Sequence, residues 1–140
     1  MKVHLTRRYL FSASHRLHND SLSAEENRAT YGKCNNPHGH GHNYFVEITV
    51  SGPVDSQTGM VSNLADLDGW VRENVIERYD HQDLNHLPEF ADTVPTTENL
   101  CVEIYRILHR GFTKAHLDKV RIEETMMNSF EFSGENPALR

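Results

Sequence analysis

The sequence predicts an α+β fold in which an antiparallel four-stranded sheet carries two long helices packed on one face. Four segments alternate apolar and polar residues with the two-residue period of a half-buried strand. Two further segments space their apolar residues along one face of a helix. The order is strand, strand, helix, helix, strand, strand, so sequential strands can pair as hairpins while the helices cover one face.

The first two strands are predicted in the N-terminal part of the sequence. The first ends near His15, because odd positions hold Leu5, Tyr9, Phe11, Ala13 and His15. Residues 42–50 alternate in the same way and predict a longer second strand. Gly52-Pro53 is expected to end this strand.

A short helix and a turn-forming segment are predicted between these strands. Ser23 and Glu26 have the spacing of a capping box, and Gly32 offers a stop for the helix. Residues 33–41 contain Asn36-Pro37 and two glycines, which are typical of turns.

The two long helices are predicted in the middle of the sequence. A turn at residues 55–59 and a brief strand at residues 60–64 should precede the first, which Asn63 can cap. The apolar stripe of this helix comprises Leu64, Leu67, Val71, Val75 and Tyr79. Thr96 can cap the second helix, whose apolar face comprises Leu100, Ile104, Ile107, Leu108 and Phe112.

The last two strands are predicted at residues 120–124 and 130–132, joined by a turn at Asn128-Ser129. The sheet face away from the helices then lacks a cover, although its expected occupants Glu47 and Thr49 are polar. The sheet also has two open edges, and self-association is the usual way to close such edges. We therefore expect an oligomer.

Composition limits the class of protein. A sequence of 140 residues with 37% hydrophobic residues is expected to form one globular domain, residues 1–140. The net charge of -6 is the wrong sign for a general nucleic-acid-binding protein. No apolar run reaches the roughly 18 residues of a membrane span, and residues 1–13 lack a signal-peptide core. We expect a cytoplasmic protein whose two cysteines, Cys34 and Cys101, remain thiols.

The motif His38-Gly39-His40-Gly41-His42 carries the strongest chemical signal. A strand places residues i and i+2 on one face, so His40 and His42 can bind one ion. Zinc accepts neutral imidazole nitrogen, and catalytic zinc sites have three protein ligands and one open position. If the first two strands form a hairpin, His15 can supply the third ligand, whereas the preceding turn should point His38 elsewhere.

Cys34 lies in the loop before the histidine motif, where a thiol has two possible roles. It could be a fourth ligand, which would make the metal site structural. It could instead be a base, held as thiolate by Lys33, a histidine or the ion. Spacing alone leaves both roles open.

Three other features could contribute to a site. The Asp80-His81 pair follows the first long helix, where a carboxylate can orient an imidazole, although a solvated helix end would look the same. Glu124 shares the buried side of its strand and needs a partner, either a ligand or a structural cation. Thr96 and Thr97, at a helix start, offer free backbone donors to a ligand.

Several segments strongly resemble the 6-pyruvoyl-tetrahydropterin synthase family, in the family's order and over nearly the whole sequence. These segments are Phe11-Ser12-Ala13-Ser14-His15-Arg16-Leu17, residues 32–44 (GKCNNPHGHGHNY), Thr58-Gly59-Met60-Val61, Asn63-Leu64-Ala65-Asp66-Leu67, Asp80-His81, Thr96-Thr97-Glu98-Asn99 and Glu124-Thr125. The resemblance implies a tunnelling fold, in which trimers close into a β-barrel and two trimers stack as a homo-hexamer.

The resemblance also implies roles for individual residues. The zinc ligands would be His15, His40 and His42. Cys34 would be the catalytic thiol, assisted by Asp80 and His81 from a neighbouring subunit. Glu124 would anchor the amino-pyrimidine ring of a pterin, with contacts from Thr96 and Thr97.

The family's substrate is 7,8-dihydroneopterin triphosphate, which loses triphosphate while hydrogen moves from the side chain to the ring. The resemblance thus implies a zinc-dependent lyase that forms 6-pyruvoyl-tetrahydropterin without an external redox cofactor. The triphosphate requires cations, and the candidates are Lys33, Arg7, Arg8, Arg16 and Arg28.

Two alternatives remain open at this stage. Bacterial 6-carboxy-tetrahydropterin synthases of the queuosine pathway use the same fold and substrate but release acetaldehyde. Five residues separate Cys34 from His40, as in the pyruvoyl-forming group, which favours the pyruvoyl product. A cysteine rather than a glutamate at position 34 argues against an aldolase-like branch. A non-enzymatic zinc-binding scaffold, with Cys34 closing the coordination shell, is the alternative from another class.

Overall fold

A computed structural model describes residues 1–135 and places five strands in that range. The strands are β1 (Val3–His15), β2 (His40–Gly52), β3 (Gln82–Asp83), β4 (His116–Thr125) and β5 (Asn128–Phe132). The α-helical segments are α1 (Ala24–Tyr31), α2 (Leu64–Val71), α3 (Glu77–Tyr79) and α4 (Thr97–Gly111). A π-helical segment, Arg72–Ile76, joins α2 to α3, so the first predicted long helix is continuous. No helix within residues 1–135 has both the length and the apolar character of a membrane span.

The sheet has the strand order β3-β1-β2-β4-β5. The pairs β1–β2, β2–β4 and β4–β5 are antiparallel, which confirms the predicted four-stranded arrangement. The fifth strand, β3, adds a short parallel pairing at Ala13 and Ser14. A strand of two residues has no periodicity, so the sequence pattern could not reveal it.

The β1–β2 register places the functional end of the hairpin. Phe11 pairs with Tyr44, Ala13 with His42, and His15 with His40. Paired residues lie on the same face of a sheet, so the odd residues of β1 and the even residues of β2 share the face under the helices. The apolar core therefore continues directly into the histidine motif.

The helices cover this face as predicted. Both apolar stripes lie in the core, where the fully buried helix residues are Leu67, Val71, Val75, Tyr79, Leu100, Ile104 and Leu108. Leu64 is an exception because it lies at the first turn of α2 and stays exposed. Ile107 is only partly buried, at the edge of the core cluster.

The opposite face of the sheet is mostly polar and charged, with the paired residues Leu10 and Phe45 as apolar exceptions. Arg8 contacts Glu123 at 2.7 Å, and Arg121 contacts Glu47 and Glu123, each at 3.0 Å. Thr49 is only 5% exposed, and its hydroxyl lies 2.8 Å from that of Thr6. Within residues 1–135, neither the outer edge of β5 nor residues 3–12 on the outer edge of β1 pair with another strand.

Two local predictions are wrong. Residues 60–63 form a bend instead of a strand, and the Asn63 side chain caps α2 by accepting hydrogen bonds from Ala65 and Asp66. The hairpin turn lies at Met126-Met127 rather than at Asn128-Ser129, which belongs to β5. Each of these segments contains only two adjacent apolar residues. Such a short segment shows no hydrophobic periodicity that could distinguish a turn from a strand.

Helix α1 is held in place by a buried side chain that sequence reasoning did not single out. The predicted capping box of Ser23 and Glu26 is present. Asn27 is fully buried, and its Oδ1 accepts a hydrogen bond from the backbone of Asn19 at 2.8 Å. Its Nδ2 donates to the carbonyls of Asn19, Leu22 and Ser23 at 3.0–3.3 Å. This amide therefore fixes the segment that leads from β1 to the loop before the histidine motif.

The substitution Asn27→Asp tests this anchoring because it preserves shape but replaces the donating amide by an acceptor. Carboxylate oxygens would then face three carbonyls, and we expect local stability of residues 19–31 to fall by about 2 kcal/mol. Hydrogen–deuterium exchange should show faster exchange there. Asn74→Asp, which removes a single helix-surface bond to Trp70, is the matched control. Unchanged exchange in Asn27→Asp would contradict the anchoring role.

Candidate active site

Three imidazoles converge where β1 ends and β2 begins. Nε2 of His40 lies 3.0 Å from Nε2 of His15 and 3.2 Å from Nε2 of His42. Nitrogen ligands at zinc–nitrogen distances of 2.0–2.1 Å in a tetrahedral site would be about 3.3 Å apart. The spacing of these nitrogen atoms therefore suits a single divalent ion between them.

The backbone fixes which nitrogen of His15 faces the cluster. His15 is 1% exposed, and its Nδ1 lies 2.9 Å from the carbonyl oxygen of Pro95. A carbonyl can only accept, so Nδ1 carries the proton and Nε2 presents its lone pair. The Tyr44 ring packs edge-on against His15 and limits its rotation. Such outer contacts are typical of metal-binding histidines.

Burial keeps two of these imidazoles in the neutral form that binds metals. It lowers the pKa of His15, against the opposing hydrogen bond to Pro95. It also lowers the pKa of His42, against the opposing charge of Glu124. Both rings are thus neutral near pH 7 and able to act as ligands.

Cys34 lies beside this cluster. It belongs to a 3-10 turn, Gly32–Asn35, and its carbonyl accepts a hydrogen bond from Leu17 at 2.7 Å, which ties the turn to the end of β1. Its sulfur and the ligand nitrogens of His15 and His40 all lie within 4.8 Å of one another. Burial, followed by the charge of Glu124, raises the pKa of the Cys34 thiol. A thiolate at this position therefore requires a nearby cation.

Glu124 also lies beside the cluster. Its Oε2 accepts a hydrogen bond from the hydroxyl of buried Thr97, and its Oε1 lies 3.7 Å from Nε2 of His42. The register of β4 shifts between Glu123 and Thr125, so Glu124 stands outside the regular ladder. With His15 and His42, it forms a second group whose ligand atoms lie within 4.8 Å. Sequence reasoning assigned Glu124 to a pterin and missed its proximity to the metal-binding side chains.

Thr96 and Thr97 have different positions at the start of α4. The Thr96 hydroxyl caps the helix by accepting a hydrogen bond from the backbone of Asn99 at 3.2 Å. Thr97 is 1% exposed and points its hydroxyl to Glu124. The structure therefore brings Thr97 to the site, while the Thr96 side chain is engaged in capping.

The Asp80-His81 pair stands apart from the imidazoles in its contacts. Asp80 accepts a hydrogen bond from the backbone of Ser12 at 3.0 Å, and this bond chiefly lowers its pKa. Nδ1 of His81 lies 3.1 Å from Asp80, but 83% of its side chain is exposed. The φ of His81 is 60°, a left-handed conformation that is costly for a residue other than glycine. The backbone N–H of Asp80 donates to the carbonyl of Ile76 at 2.8 Å, and that of His81 donates to the carbonyl of Ser12 at 2.6 Å.

The turn before β2 separates His38 from the cluster. His38 is exposed, and its backbone donates a hydrogen bond to Asn36. Gly39 has a φ of 72°, and a Cβ there would lie 3.0 Å from the carbonyl oxygen of His15. Glycine at this position therefore permits the close approach of the two strand ends.

Comparison with known proteins shows strong similarity over almost the whole sequence. A human protein named 6-pyruvoyl tetrahydrobiopterin synthase is 47% identical over 135 residues, covering 96% of this chain and 93% of that protein. An Archaeoglobus fulgidus protein named putative 6-carboxy-5,6,7,8-tetrahydropterin synthase is 35% identical over 74% of this chain and 82% of its own length. The solved structure of Caenorhabditis elegans 6-pyruvoyl tetrahydropterin synthase superposes with a TM-score of 0.90 at 39% identity, covering 96% of this chain and 97% of that one.

The family model described as 6-pyruvoyl tetrahydropterin synthase matches residues 4–135, which include every side chain of the site described above. The chain belongs to the 6-pyruvoyl tetrahydropterin synthase family.

Proposed function

We propose that the protein is a zinc-dependent lyase that converts 7,8-dihydroneopterin triphosphate to 6-pyruvoyl-tetrahydropterin and triphosphate. The observation that carries this proposal is the convergence of three imidazole nitrogens at 3.0–3.2 Å with a thiol beside them. The 47% identity to a protein named for this activity supports the same reaction.

His15, His40 and His42 would hold the zinc ion, since the spacing of their Nε2 atoms suits a tetrahedral site with a vacant position. Bound to side-chain oxygens of the substrate, zinc would polarise them and make the neighbouring C–H bond more acidic. The Pro95 carbonyl would keep His15 in the tautomer that the site needs.

Cys34 would act as the base that removes a proton from the side chain of the substrate. Burial and the charge of Glu124 raise the pKa of the Cys34 thiol, so this role would require a nearby cation that offsets both. The proton returns to the ring, so hydrogen moves within the substrate. The atoms of the substrate are the sum of those of the pterin product and triphosphoric acid. The reaction therefore consumes no external oxidant, reductant or water.

Glu124 would hold the amino-pyrimidine ring of the pterin. A carboxylate can accept two parallel N–H bonds from such a ring. Thr97 would fix the carboxylate through its hydroxyl, and the start of α4 at Thr96 would add backbone donors. In this proposal the three imidazoles would lie at the side chain of the pterin and Glu124 at its ring.

Asp80 and His81 would relay protons to a site in a neighbouring subunit. The His81 side chain is 83% exposed and its Nδ1 lies 3.1 Å from Asp80, which leaves the pair accessible to another subunit. The free strand edges and the polar sheet face support assembly into trimers whose sheets close as a β-barrel, two of which form a homo-hexamer. The free thiols Cys34 and Cys101 fit a reducing cytoplasm.

The substitution His42→Ala tests the metal site. Removing one of three ligands should reduce bound zinc from one equivalent per protomer to a small fraction. Elemental analysis of the purified protein measures this directly, and His38→Ala is the matched control because His38 lies outside the cluster. Full zinc occupancy in His42→Ala would refute the assignment.

The substitution Cys34→Ala distinguishes a role of Cys34 as general base from a role as zinc ligand. We expect triphosphate release to slow by about 10²- to 10⁴-fold, the usual contribution of a general base, with zinc retained. Cys101→Ala, at a buried thiol of α4, is the control. Loss of zinc in Cys34→Ala, with a zinc–sulfur distance near ~2.3 Å by X-ray absorption in the unsubstituted protein, would instead support the closed site of a scaffold protein.

The product distinguishes the two activities of this fold. Incubation with 7,8-dihydroneopterin triphosphate should give 6-pyruvoyl-tetrahydropterin and no trapped acetaldehyde. The five-residue gap from Cys34 to His40 and the broader match to pyruvoyl-forming relatives favour this outcome. Stoichiometric acetaldehyde, measured with a carbonyl-trapping reagent, would assign the 6-carboxy reaction instead.

A further inference from the structure

A cavity of about 490 Å³ lies on the outer side of the loop that carries Cys34. Helix α1, the turn Gly32–Asn35 and the end of β1 form its walls, and His40 lies at its border with the imidazole cluster. We call it the basic cavity, because its charged lining consists of Arg16, Arg28 and Lys33; the imidazole of His18, which lies 3.2 Å from Asp20, also lines it.

The basic cavity has an unusual charge for this protein. No aspartate or glutamate lines it, and none of its three cations forms an ion pair within residues 1–135. Several other cations of the described residues do have carboxylate partners: Arg7, Arg8, Arg78, Lys114 and Arg121. In a protein of net charge -6, three unneutralised cations around one hollow repel each other and attract an anion of high charge.

The walls of the basic cavity are fixed by hydrogen bonds. Nε of Arg16 donates to the carbonyl of Asn35 at 3.3 Å, which leaves the terminal nitrogens of Arg16 available. The Asn35 side chain, 7% exposed, donates to the carbonyl of Leu17 at 2.8 Å and lies 3.0 Å from Nδ1 of His18. Asn27 anchors the helix that carries Arg28. The cations are therefore displayed from a preformed scaffold.

We propose that the basic cavity binds the triphosphate arm of the substrate, an inference that rests on the proposed function. The triphosphate ester is on the carbon next to the two oxygen-bearing carbons of the side chain. If those oxygens lie at the imidazoles, the ester lies one bond further, on the side where His40 borders the cavity and Lys33 precedes Cys34.

The basic cavity would then assist bond cleavage as well as binding. During elimination a C–H bond in the side chain of the substrate breaks and its proton goes to Cys34, while its electron pair forms a C=C bond. The C–O bond to triphosphate breaks, and its electron pair leaves with the triphosphate anion. Cations at the leaving oxygens stabilise the charge that develops there. Both KM and kcat should therefore depend on these residues.

Inorganic tripolyphosphate tests the cavity without turnover. Isothermal titration of the purified protein should show one site per protomer, with zinc content measured before and after because polyphosphates chelate metals. Arg28→Ala and Lys33→Ala should each weaken binding about tenfold, as expected for loss of a charged hydrogen-bonding partner. Arg110→Ala is the matched control, since Arg110 is an exposed arginine of α4 outside the cavity. It should bind like the wild type.

Kinetics with 7,8-dihydroneopterin triphosphate identify the source of the anion. Arg28→Ala should raise KM about tenfold, in parallel with the loss of tripolyphosphate affinity. Absence of tripolyphosphate binding, or equal binding by all variants, would overturn the proposal. Weaker tripolyphosphate binding with unchanged KM would also overturn it, because the cavity would then serve a separate polyphosphate. If tripolyphosphate binds as expected but the wild type does not turn over the pterin, the proposed function fails and the anion site stands.

Discussion

The structure of this site depends on one electrostatic constraint, the close approach of three imidazole rings. Nε2 of His40 lies 3.0 Å from that of His15 and 3.2 Å from that of His42, and the proton of His15 is committed to the Pro95 carbonyl on the other side of the ring. Lone pairs that face each other at this distance repel unless protons or a cation lie between them. Burial disfavours protonation of His15 and His42, and a divalent cation bound as proposed would remove this repulsion. The Cys34 thiol lies within 4.8 Å of the ligand atoms of His15 and His40, and the Glu124 carboxylate lies within 4.8 Å of those of His15 and His42.

Much of this arrangement could be predicted from the sequence because it rests on local periodicity. The odd positions of β1 and the even positions of β2 define one buried face, and a hairpin between them brings His15 opposite His40. The stripes of α2 and α4 identify the layer above that face. The position of Glu124 beside two apolar residues of β4 indicated a carboxylate in need of a partner.

Other features depend on contacts between distant segments and have no local signature. The Pro95 carbonyl reaches His15 across 80 positions, and Asn27 is buried by a loop with no regular pattern. The left-handed conformation of His81 and the two-residue strand beside it arise from pairing with β1. The sequence could not predict that Arg16, Arg28 and Lys33 share a cavity without an acidic side chain. In a protein of net charge -6, each would be expected to lie near a carboxylate.

The β1–β2 register also determines where the polypeptide tolerates a change in length. Side chains alternate between faces, so a residue inserted between His42 and Tyr44 would send both ligating imidazoles to the ion-paired face of the sheet. An insertion among the five residues before His40 would lengthen only the loop and leave the ligands in register. A change in the length of this loop would therefore move the Cys34 thiol relative to the imidazoles, whereas an insertion in β2 would move the imidazoles themselves.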